Sequence, residues 1–288
     1  MSASASPHMT VLSASASAPR VWPRRVAGDR SSGLRVASAR AASCASASAS
    51  ASARTSGVEL TDWARELRRG DERVVLVRDK SNVESDPAAL FKTKLFAFVY
   101  WRGYRQLFAA VGYPGKKEEV ALALRALGSG ETLLDVSCGP GLITDGLARS
   151  NAYGKVVAID ISPEMCDLAR ETCRDVDVYC CDVCDLPFVD ESFDRVHSSA
   201  GAHCWSDAEA GFAQLFRVCK RGGCVFLSTV VLAQTTTSEE EYTASRMPNT
   251  PFWKPETIVS MMQKAGFENV QIVSRAGCFV SLKAIRAA

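Results

Sequence analysis

The chain has 288 residues, of which 47% are hydrophobic and 23% charged, and this composition excludes a mostly disordered or fibrous protein. Its apolar runs are all shorter than the roughly 18 residues of a transmembrane helix, so no membrane span is predicted. Seven of the 34 basic residues and one of the 32 acidic residues lie in residues 1–57, which leaves 27 basic and 31 acidic side chains elsewhere and argues against nucleic-acid binding.

Residues 1–57 are rich in serine, alanine and arginine, and alanine-serine repeats fill residues 43–54. Such a segment buries too little apolar surface to offset the entropy of ordering, so we predict that it is disordered. An arginine-rich, serine-rich and acid-poor composition is typical of an organelle transit peptide, and a low-complexity tail without a targeting role is the alternative. The composition alone does not separate a chloroplast from a mitochondrial address.

Residues 58–128 are predicted to form an N-terminal helical segment. Helices are expected over residues 60–69 and 117–127, and the second should end at Gly128. Residues 91–111 are rich in aromatic side chains, with four basic residues between them, at a spacing that suits an amphipathic helix. That helix either packs on the main sheet or forms a lid over a ligand.

Residues 129–288 alternate strands with helices, which predicts a parallel sheet covered by helices on both faces. Only three residues separate the last two strands, too few for a helical crossover, so these strands should pair antiparallel. The predicted fold class is α/β: a doubly wound, seven-stranded, mostly parallel, Rossmann-like sheet with an antiparallel last strand. The predicted strands are 132–137, 155–160, 176–182, 193–198, 224–232, 269–274 and 278–285, and the predicted helices are 142–149, 163–174, 207–220 and 255–265.

A glycine-rich turn, DVSCGPG over residues 135–141, follows the first of these strands. In an open α/β sheet the ligand lies at the carboxyl ends of the strands, and Gly139 and Gly141 allow the backbone to approach it closely. A nicotinamide fingerprint would have a small residue in place of Thr144, and Asp135 would repel a pyrophosphate. Asp135 suits a ligand that carries an ammonium group.

Two further acidic residues end the next two strands. Asp160 lies 19 residues after Gly141, where a carboxylate accepts hydrogen bonds from ribose hydroxyls. Asp182 ends the third strand, and Val183 after it is suited to the face of an adenine ring. A helix cap or a loop end is the alternative for each acid alone. An ammonium, a ribose and an adenine together describe S-adenosylmethionine.

Three motifs resemble those of class I S-adenosylmethionine-dependent methyltransferases: DVSCGPG (135–141), VAIDIS (157–162) and CDVCDLPF (181–188). Residues 91–93, 112–115 and 197–205 resemble more narrowly the plant and algal chloroplast methyltransferases that associate with plastoglobules and are related to quinone-biosynthesis methyltransferases. The resemblance implies the seven-stranded fold and a plastid address for residues 1–57. The predicted cofactor-binding residues are Asp135, Ser137, Cys138, Gly139, Pro140, Gly141, Asp160, Ile161, Asp182, Val183 and Ser199.

His203 follows the fourth strand, and we predict that it borders the transferred methyl group. With an ordinary pKa near 6.5, its imidazole suits a general base for a phenol, a hydroxyl or a carbon acid. A structural histidine under the loop is the alternative, and His197, inside the strand, is expected in the core. Trp205, Tyr100 and Tyr104 either wall an aromatic acceptor pocket or serve as ordinary packing.

The cysteines predict neither a zinc site nor a disulfide framework. The only CxxC motif is Cys181 to Cys184, no second pair has zinc-site spacing, and the chain has three histidines. Most thiols should therefore pack in the core as small hydrophobic groups. A redox pair among Cys180, Cys181 and Cys184 is the alternative.

The sequence thus predicts a methyltransferase that uses S-adenosylmethionine to methylate a small, apolar acceptor of the quinone or prenyl-lipid precursor type. The predicted location is the chloroplast, at plastoglobules with peripheral lipid contact, and the mitochondrion is the alternative. A nicotinamide-dependent dehydrogenase and a non-catalytic, cofactor-binding scaffold remain alternative functions. The sequence does not predict the oligomeric state.

Overall fold

The computed structural model describes residues 58–67, 75–76, 112–231 and 252–288. The predicted disordered segment 1–57 and the predicted aromatic helix 91–111, with Tyr100 and Tyr104, lie outside these residues. Within the described residues, no helix is long and apolar enough to cross a membrane.

Helices and strands alternate along the described chain, with bounds close to those predicted. The helices are α1 (Asp62–Leu67), α2 (Lys116–Leu127), α3 (Leu142–Ala148), α4 (Pro163–Thr172), α5 (Ala208–Val218) and α6 (Pro255–Lys264). The strands are β1 (Val75–Leu76), β2 (Gly130–Val136), β3 (Tyr153–Asp160), β4 (Asp177–Cys181), β5 (Phe193–Ser199), β6 (Cys219–Val230), β7 (Glu268–Ala276) and β8 (Phe279–Ile285). Short 3₁₀ turns follow β4 at Val183–Asp185 and β5 at Ala202–Cys204.

The described strands form one sheet in the order β1-β4-β3-β2-β5-β6-β8-β7. Every neighbouring pair is parallel except those of β8, which runs antiparallel to both β6 and β7. The predicted seven-stranded Rossmann-like sheet with an antiparallel last strand is confirmed. The two-residue strand β1 extends the edge beside β4 and was not predicted.

The boundary between α5 and β6 differs from the prediction. The sequence predicts a helix to residue 220 and a strand from residue 224, with a glycine turn between them, whereas α5 ends at Val218 and β6 begins at Cys219. β6 begins at Cys219 because this residue pairs with Phe193 of β5. The glycines then pair with the residue after β8: Gly222 N–H donates to the Arg286 carbonyl at 2.8 Å, and Arg286 N–H donates to the Gly223 carbonyl at 3.0 Å. These bonds hold the glycines in an irregular part of the strand.

Apolar side chains fill both faces of the sheet. One face packs against α5 and α6 through residues such as Phe212 and Ile258, and the other against α2 and α3 through residues such as Leu127 and Leu147. Eight of the ten described cysteines are buried and all ten are free thiols. The prediction that most thiols serve as core packing is therefore confirmed.

The strand order reverses between β2 and β5. From β2 the chain passes through α3 to β3 on one side, whereas β5 lies on the other side of β2. The carboxyl ends of these parallel strands meet at one edge, and the connections diverge there and leave a crevice. The fold therefore places the ends of β2 to β5, and the loops after them, around one site.

Candidate functional site

A cleft of about 350 Å³, a volume that includes space open to solvent, lies at this edge of the sheet. Five of the predicted site residues line the cleft, and five other residues do so as well. The predicted ones are Ser137, Asp160, Ile161, Asp182 and Val183, and the others are Ile159, Cys181, Cys204, Trp205 and Ser206.

The glycine turn after β2 has the backbone conformation that its glycines allow. Gly139 and Gly141 have φ of 56° and 78°. A Cβ atom on Gly141 would lie 2.7 Å from Cys173 Sγ and 3.1 Å from the Ala169 Cα in α4. Gly141 is therefore required both by its left-handed conformation and by the close approach of α4.

Asp160 ties the end of β3 to the glycine turn. Its Oδ2 accepts from Gly139 N–H at 2.8 Å, and its Oδ1 accepts from Ser162 N–H at 2.9 Å. Burial raises the pKa of Asp160 to about 6, because desolvation of the carboxylate outweighs the backbone donors that lower it. Each carboxylate oxygen can accept more than one hydrogen bond, so Asp160 retains acceptor capacity toward the cleft.

Asp182 caps the short 3₁₀ turn after β4. Its Oδ1 accepts from Cys184 N–H at 2.9 Å, while its Oδ2 makes no hydrogen bond to the described residues. Val183, next along the chain, contributes an apolar surface to the same cleft. The cleft therefore combines two carboxylates with apolar walls, and no lysine or arginine of the described chain lines it.

Trp205 is a cleft residue whose position the sequence did not settle. Its indole N–H donates to Ser137 Oγ at 3.0 Å, and its ring packs against Phe212. Ser137 itself has a positive φ of 57°, and a Cβ on Gly201 would lie 2.6 Å from the Ser137 Cβ. The loop after β5 thus contacts the turn after β2. This contact joins residues 68 positions apart, so the sequence motifs alone do not predict it.

Asp135 does not line the cleft. It is 1% exposed, its Oδ2 accepts from the Thr144 hydroxyl at 2.5 Å, and its Oδ1 lies 2.7 Å from His197 Nδ1. His197 is fully buried, as predicted. Both carboxylate oxygens of Asp135 are thus engaged by neighbouring side chains. Six other predicted site residues also lie outside the lining: the cofactor-binding candidates Cys138, Gly139, Pro140, Gly141 and Ser199, and the catalytic candidate His203.

His203 is part of the short 3₁₀ turn after β5, and its side chain is buried. Its Nδ1 is 3.2 Å from the Thr229 hydroxyl, and its ring stacks on Phe252 with the ring centres 5.7 Å apart. Burial lowers the pKa of His203 from 6.5 to about 4, so the imidazole is neutral at physiological pH. Cys204, the next residue, lines the cleft.

We expect Asp160 and His203 to give the free energy of unfolding opposite dependences on pH. The raised pKa of Asp160, from 3.8 to about 6, stabilises the fold in acid, and about 3 kcal/mol is lost as the pH rises through this window. The lowered pKa of His203 stabilises the fold above pH 6.5, and about 3 kcal/mol is lost as the pH falls toward 4.

Urea unfolding between pH 4.5 and 6.5 measures these contributions. Relative to the wild type, Asp160→Asn should lose stability as the pH falls, because only the contribution of His203 remains. His203→Gln should show the opposite change. Parallel pH profiles for the two variants and the wild type would contradict both assignments.

Residues 134–227 match the family model described as a methyltransferase domain. These residues are therefore similar to methyltransferase domains. The match runs from the last residues of β2 into β6, so it contains the glycine turn, Asp160, Asp182 and Trp205. The predicted resemblance to class I methyltransferases is confirmed.

Relatives of the chain include an uncharacterized chloroplastic methyltransferase of Arabidopsis thaliana, which is 36% identical over 165 residues, 54% of this chain and 47% of the relative. A demethylmenaquinone methyltransferase of Corynebacterium urealyticum is 38% identical over 125 residues, 42% of this chain and 53% of the relative. The chain thus spans about half the length of these curated relatives.

Solved structures share the fold of this chain. A phosphoethanolamine N-methyltransferase of Haemonchus contortus, in complex with phosphomonomethylethanolamine and S-adenosylhomocysteine, aligns with a TM-score of 0.58 at 18% identity. The alignment covers 72% of this chain and 60% of that chain. The likeness confirms the architecture predicted from the alternation of strands and helices.

Proposed function

We propose that the chain transfers a methyl group from S-adenosylmethionine to a small, apolar acceptor of the quinone or prenyl-lipid precursor type in a plastid. The observation that carries this proposal is the cleft at the switch point of a methyltransferase domain, with Asp160 and Asp182 side by side at the ends of β3 and β4. The acceptor class rests on the resemblance and on the name of a relative that methylates demethylmenaquinone.

The chemistry of the lining fits an adenosyl group. Asp160 would accept hydrogen bonds from the ribose hydroxyls, because its oxygens retain acceptor capacity and lie in the cleft. Asp182 Oδ2 would accept from the adenine amine, with Val183 and Ile161 against the ring faces. A dinucleotide also contains an adenosine half, so the preference for S-adenosylmethionine rests on the similarity to methyltransferases.

The sulfonium of S-adenosylmethionine supplies a methyl group that is already activated for transfer. The chain itself has to hold the two reactants in line and exclude water, and such positioning contributes about 7–11 kcal/mol to catalysis. Asp160 and Asp182 would orient the adenosyl half. Trp205, fixed by its hydrogen bond to Ser137, closes one side of the cleft against solvent.

The plastid location is supported by the Arabidopsis thaliana relative, whose name describes it as chloroplastic. The arginine-rich residues 1–57 have the composition of a transit peptide, which agrees with that location. Association with plastoglobules stays a prediction from the resemblance alone. An import assay with isolated chloroplasts tests this location. We expect a fluorescent fusion of the full chain to be imported and its N-terminal part to be cleaved.

Calorimetry and isotope labelling test the proposal together. We expect S-adenosylhomocysteine to bind and NADH not to bind at the same concentration. The reverse result would establish the dehydrogenase alternative. Incubation with deuterated S-adenosylmethionine and plastid lipid extract, followed by mass spectrometry, should then reveal the methylated product. Cofactor binding without any label incorporation would favour the non-catalytic scaffold.

Kinetics of a His203 variant test whether this residue is the general base. A general base usually contributes about 100- to 10,000-fold to the rate, and a pKa near 4 makes His203 a weak one. We expect His203→Gln to lower turnover of the labelled product by less than about tenfold and to leave the affinity for S-adenosylhomocysteine unchanged. A loss of about 100-fold or more at unchanged affinity would instead establish His203 as the base.

A further inference from the structure

Trp205 presents a fixed hydrogen-bond donor to Ser137 in the cleft. Its indole N–H donates to Ser137 Oγ at 3.0 Å. The indole ring is held from two sides, because it meets Phe212 edge-to-face with the ring centres 5.2 Å apart, and a Cβ on Gly211 would lie 2.6 Å from its Cε3 atom. Trp205 is only 5% exposed, so this packing fixes the direction of its N–H toward Ser137.

The Ser137 hydroxyl keeps its own hydrogen for another partner. A hydroxyl group has one hydrogen to donate and two acceptor positions, and the indole N–H occupies one of those positions. Among the described residues, the Ser137 hydroxyl donates to no acceptor. Because Ser137 is half-buried and lines the cleft, its hydrogen is available to a ligand there. Acceptance of one hydrogen bond also strengthens a hydroxyl as a donor, since the two bonds polarise each other.

The strand order indicates which part of the ligand would meet Ser137. At the carboxyl edge the sheet runs β4-β3-β2. Asp182 follows β4 and Asp160 ends β3, and they are the proposed partners of the adenine amine and the ribose hydroxyls. Ser137 follows β2, which is the next strand in the same direction. We therefore expect the group attached to the ribose, which is the methionyl part of S-adenosylmethionine, to extend toward Ser137.

The methionyl part carries a carboxylate, which needs hydrogen-bond donors. No lysine or arginine of the described chain lines the cleft, so neutral donors have to meet this carboxylate. Ser206 has the other hydroxyl of the lining, and its Oγ lies 3.5 Å from the Sγ of Cys184 in the turn after β4. Ser137 is therefore the hydroxyl donor at the end of β2, where the carboxylate is expected.

We propose that Trp205 is a positioning residue, whose indole N–H orients the Ser137 hydroxyl so that this hydroxyl donates to the carboxylate of the methionyl part. The inference rests on the proposed function, since it assigns a pair of residues to one end of that cofactor. Asp160 and Asp182 hold the adenosyl half, and the Ser137 hydroxyl holds the carboxylate of the other half. Trp205 acts through Ser137.

Two ligands that differ in one group test the proposal by titration calorimetry. S-adenosylhomocysteine carries the carboxylate, whereas its decarboxylated analogue keeps the adenosyl and amino groups and lacks only the carboxylate. We expect Ser137→Ala to bind S-adenosylhomocysteine about 10- to 100-fold more weakly, as for a lost hydrogen bond to a charged group. Its affinity for the decarboxylated analogue should equal that of the wild type.

Trp205→Phe removes the N–H and keeps an aromatic ring against Phe212. We expect its affinity for S-adenosylhomocysteine to fall severalfold and that for the decarboxylated analogue to stay unchanged. The double variant with Ser137→Ala should lose no more than Ser137→Ala alone, because the indole acts through the hydroxyl. Trp253→Phe is the matched control, since Trp253 packs on the core and does not line the cleft. It should bind both ligands as the wild type does.

Equal losses for the two ligands would overturn the proposal, and so would wild-type affinity of Ser137→Ala for S-adenosylhomocysteine. Additive losses in the double variant would overturn the role of Trp205. If Ser137→Ala does not fold, Ser137→Gly replaces it, because glycine adopts the positive φ of 57° at this position without strain. Failure of the wild type to bind either ligand would instead overturn the proposed function.

Discussion

Asp160→Ala should weaken the binding of S-adenosylhomocysteine by about 100- to 1,000-fold. The substitution removes the proposed acceptor for the ribose hydroxyls, and it also leaves Gly139 N–H and Ser162 N–H without their partner. The glycine turn then loses its link to the end of β3. Because one carboxylate performs both tasks, the loss should exceed that of a single hydrogen bond. Titration calorimetry measures it directly.

Asp175→Ala is the control for this prediction, because Asp175 is an exposed acid of the same chain. It should bind S-adenosylhomocysteine as the wild type does. Asp160→Asn should retain part of the affinity, since its amide oxygen can still accept one backbone hydrogen bond. Wild-type affinity in Asp160→Ala, with the fold intact by circular dichroism, would show that the ribose is held elsewhere.

Gly141→Ala should lower the free energy of unfolding by about 2–5 kcal/mol. Part of this loss comes from the left-handed backbone, which has φ of 78°. The larger part comes from α4, since the new Cβ would lie 2.7 Å from Cys173 Sγ and 3.1 Å from the Ala169 Cα. The backbone of α4 cannot move away without disturbing its packing on β3. Urea denaturation measures the loss.

Gly222→Ala separates the two causes. Gly222 has a similar φ of 71°, but a Cβ there would meet nothing within 4 Å. This variant should lose only about 1 kcal/mol, the cost of the conformation itself. If Gly141→Ala and Gly222→Ala were equally destabilised, the packing of α4 against the glycine turn would not matter. A larger loss at Gly141 would also reduce S-adenosylhomocysteine binding, because the turn borders the cleft.

The fold could be predicted from the sequence because its evidence is local. Short apolar runs that alternate with amphipathic helices indicated each of the seven longer strands, and the three-residue link before β8 required an antiparallel pair. The predicted start of β6 at residue 224 was wrong, because glycine usually ends a helix or forms a turn and the glycines before it were therefore assigned to a turn. Here the pairing of Gly222 and Gly223 with Arg286 decided the conformation, and that contact spans more than 60 residues.

The candidate site was only partly predictable, for a related reason. Strand ends can be recognised from the sequence, so Asp160 and Asp182 were placed correctly at the edge where the cleft opens. Which neighbours engage an acid at a strand end depends on residues far along the chain. Asp135 contacts His197, 62 residues away, and Glu119 contacts Ser228, 109 residues away. No local pattern reveals such partners.

The position of β8 inside the sheet has a consequence for how this protein is made. During synthesis β6 and β7 leave the ribosome before β8, yet β8 lies between them and pairs with both. Until β8 arrives, the backbone edge of β6 is open and the apolar residues that Val280 and Leu282 later cover are exposed to solvent. Such an edge invites pairing with other chains. A nascent chain therefore leaves this edge of β6 unpaired until its last described strand is free to insert.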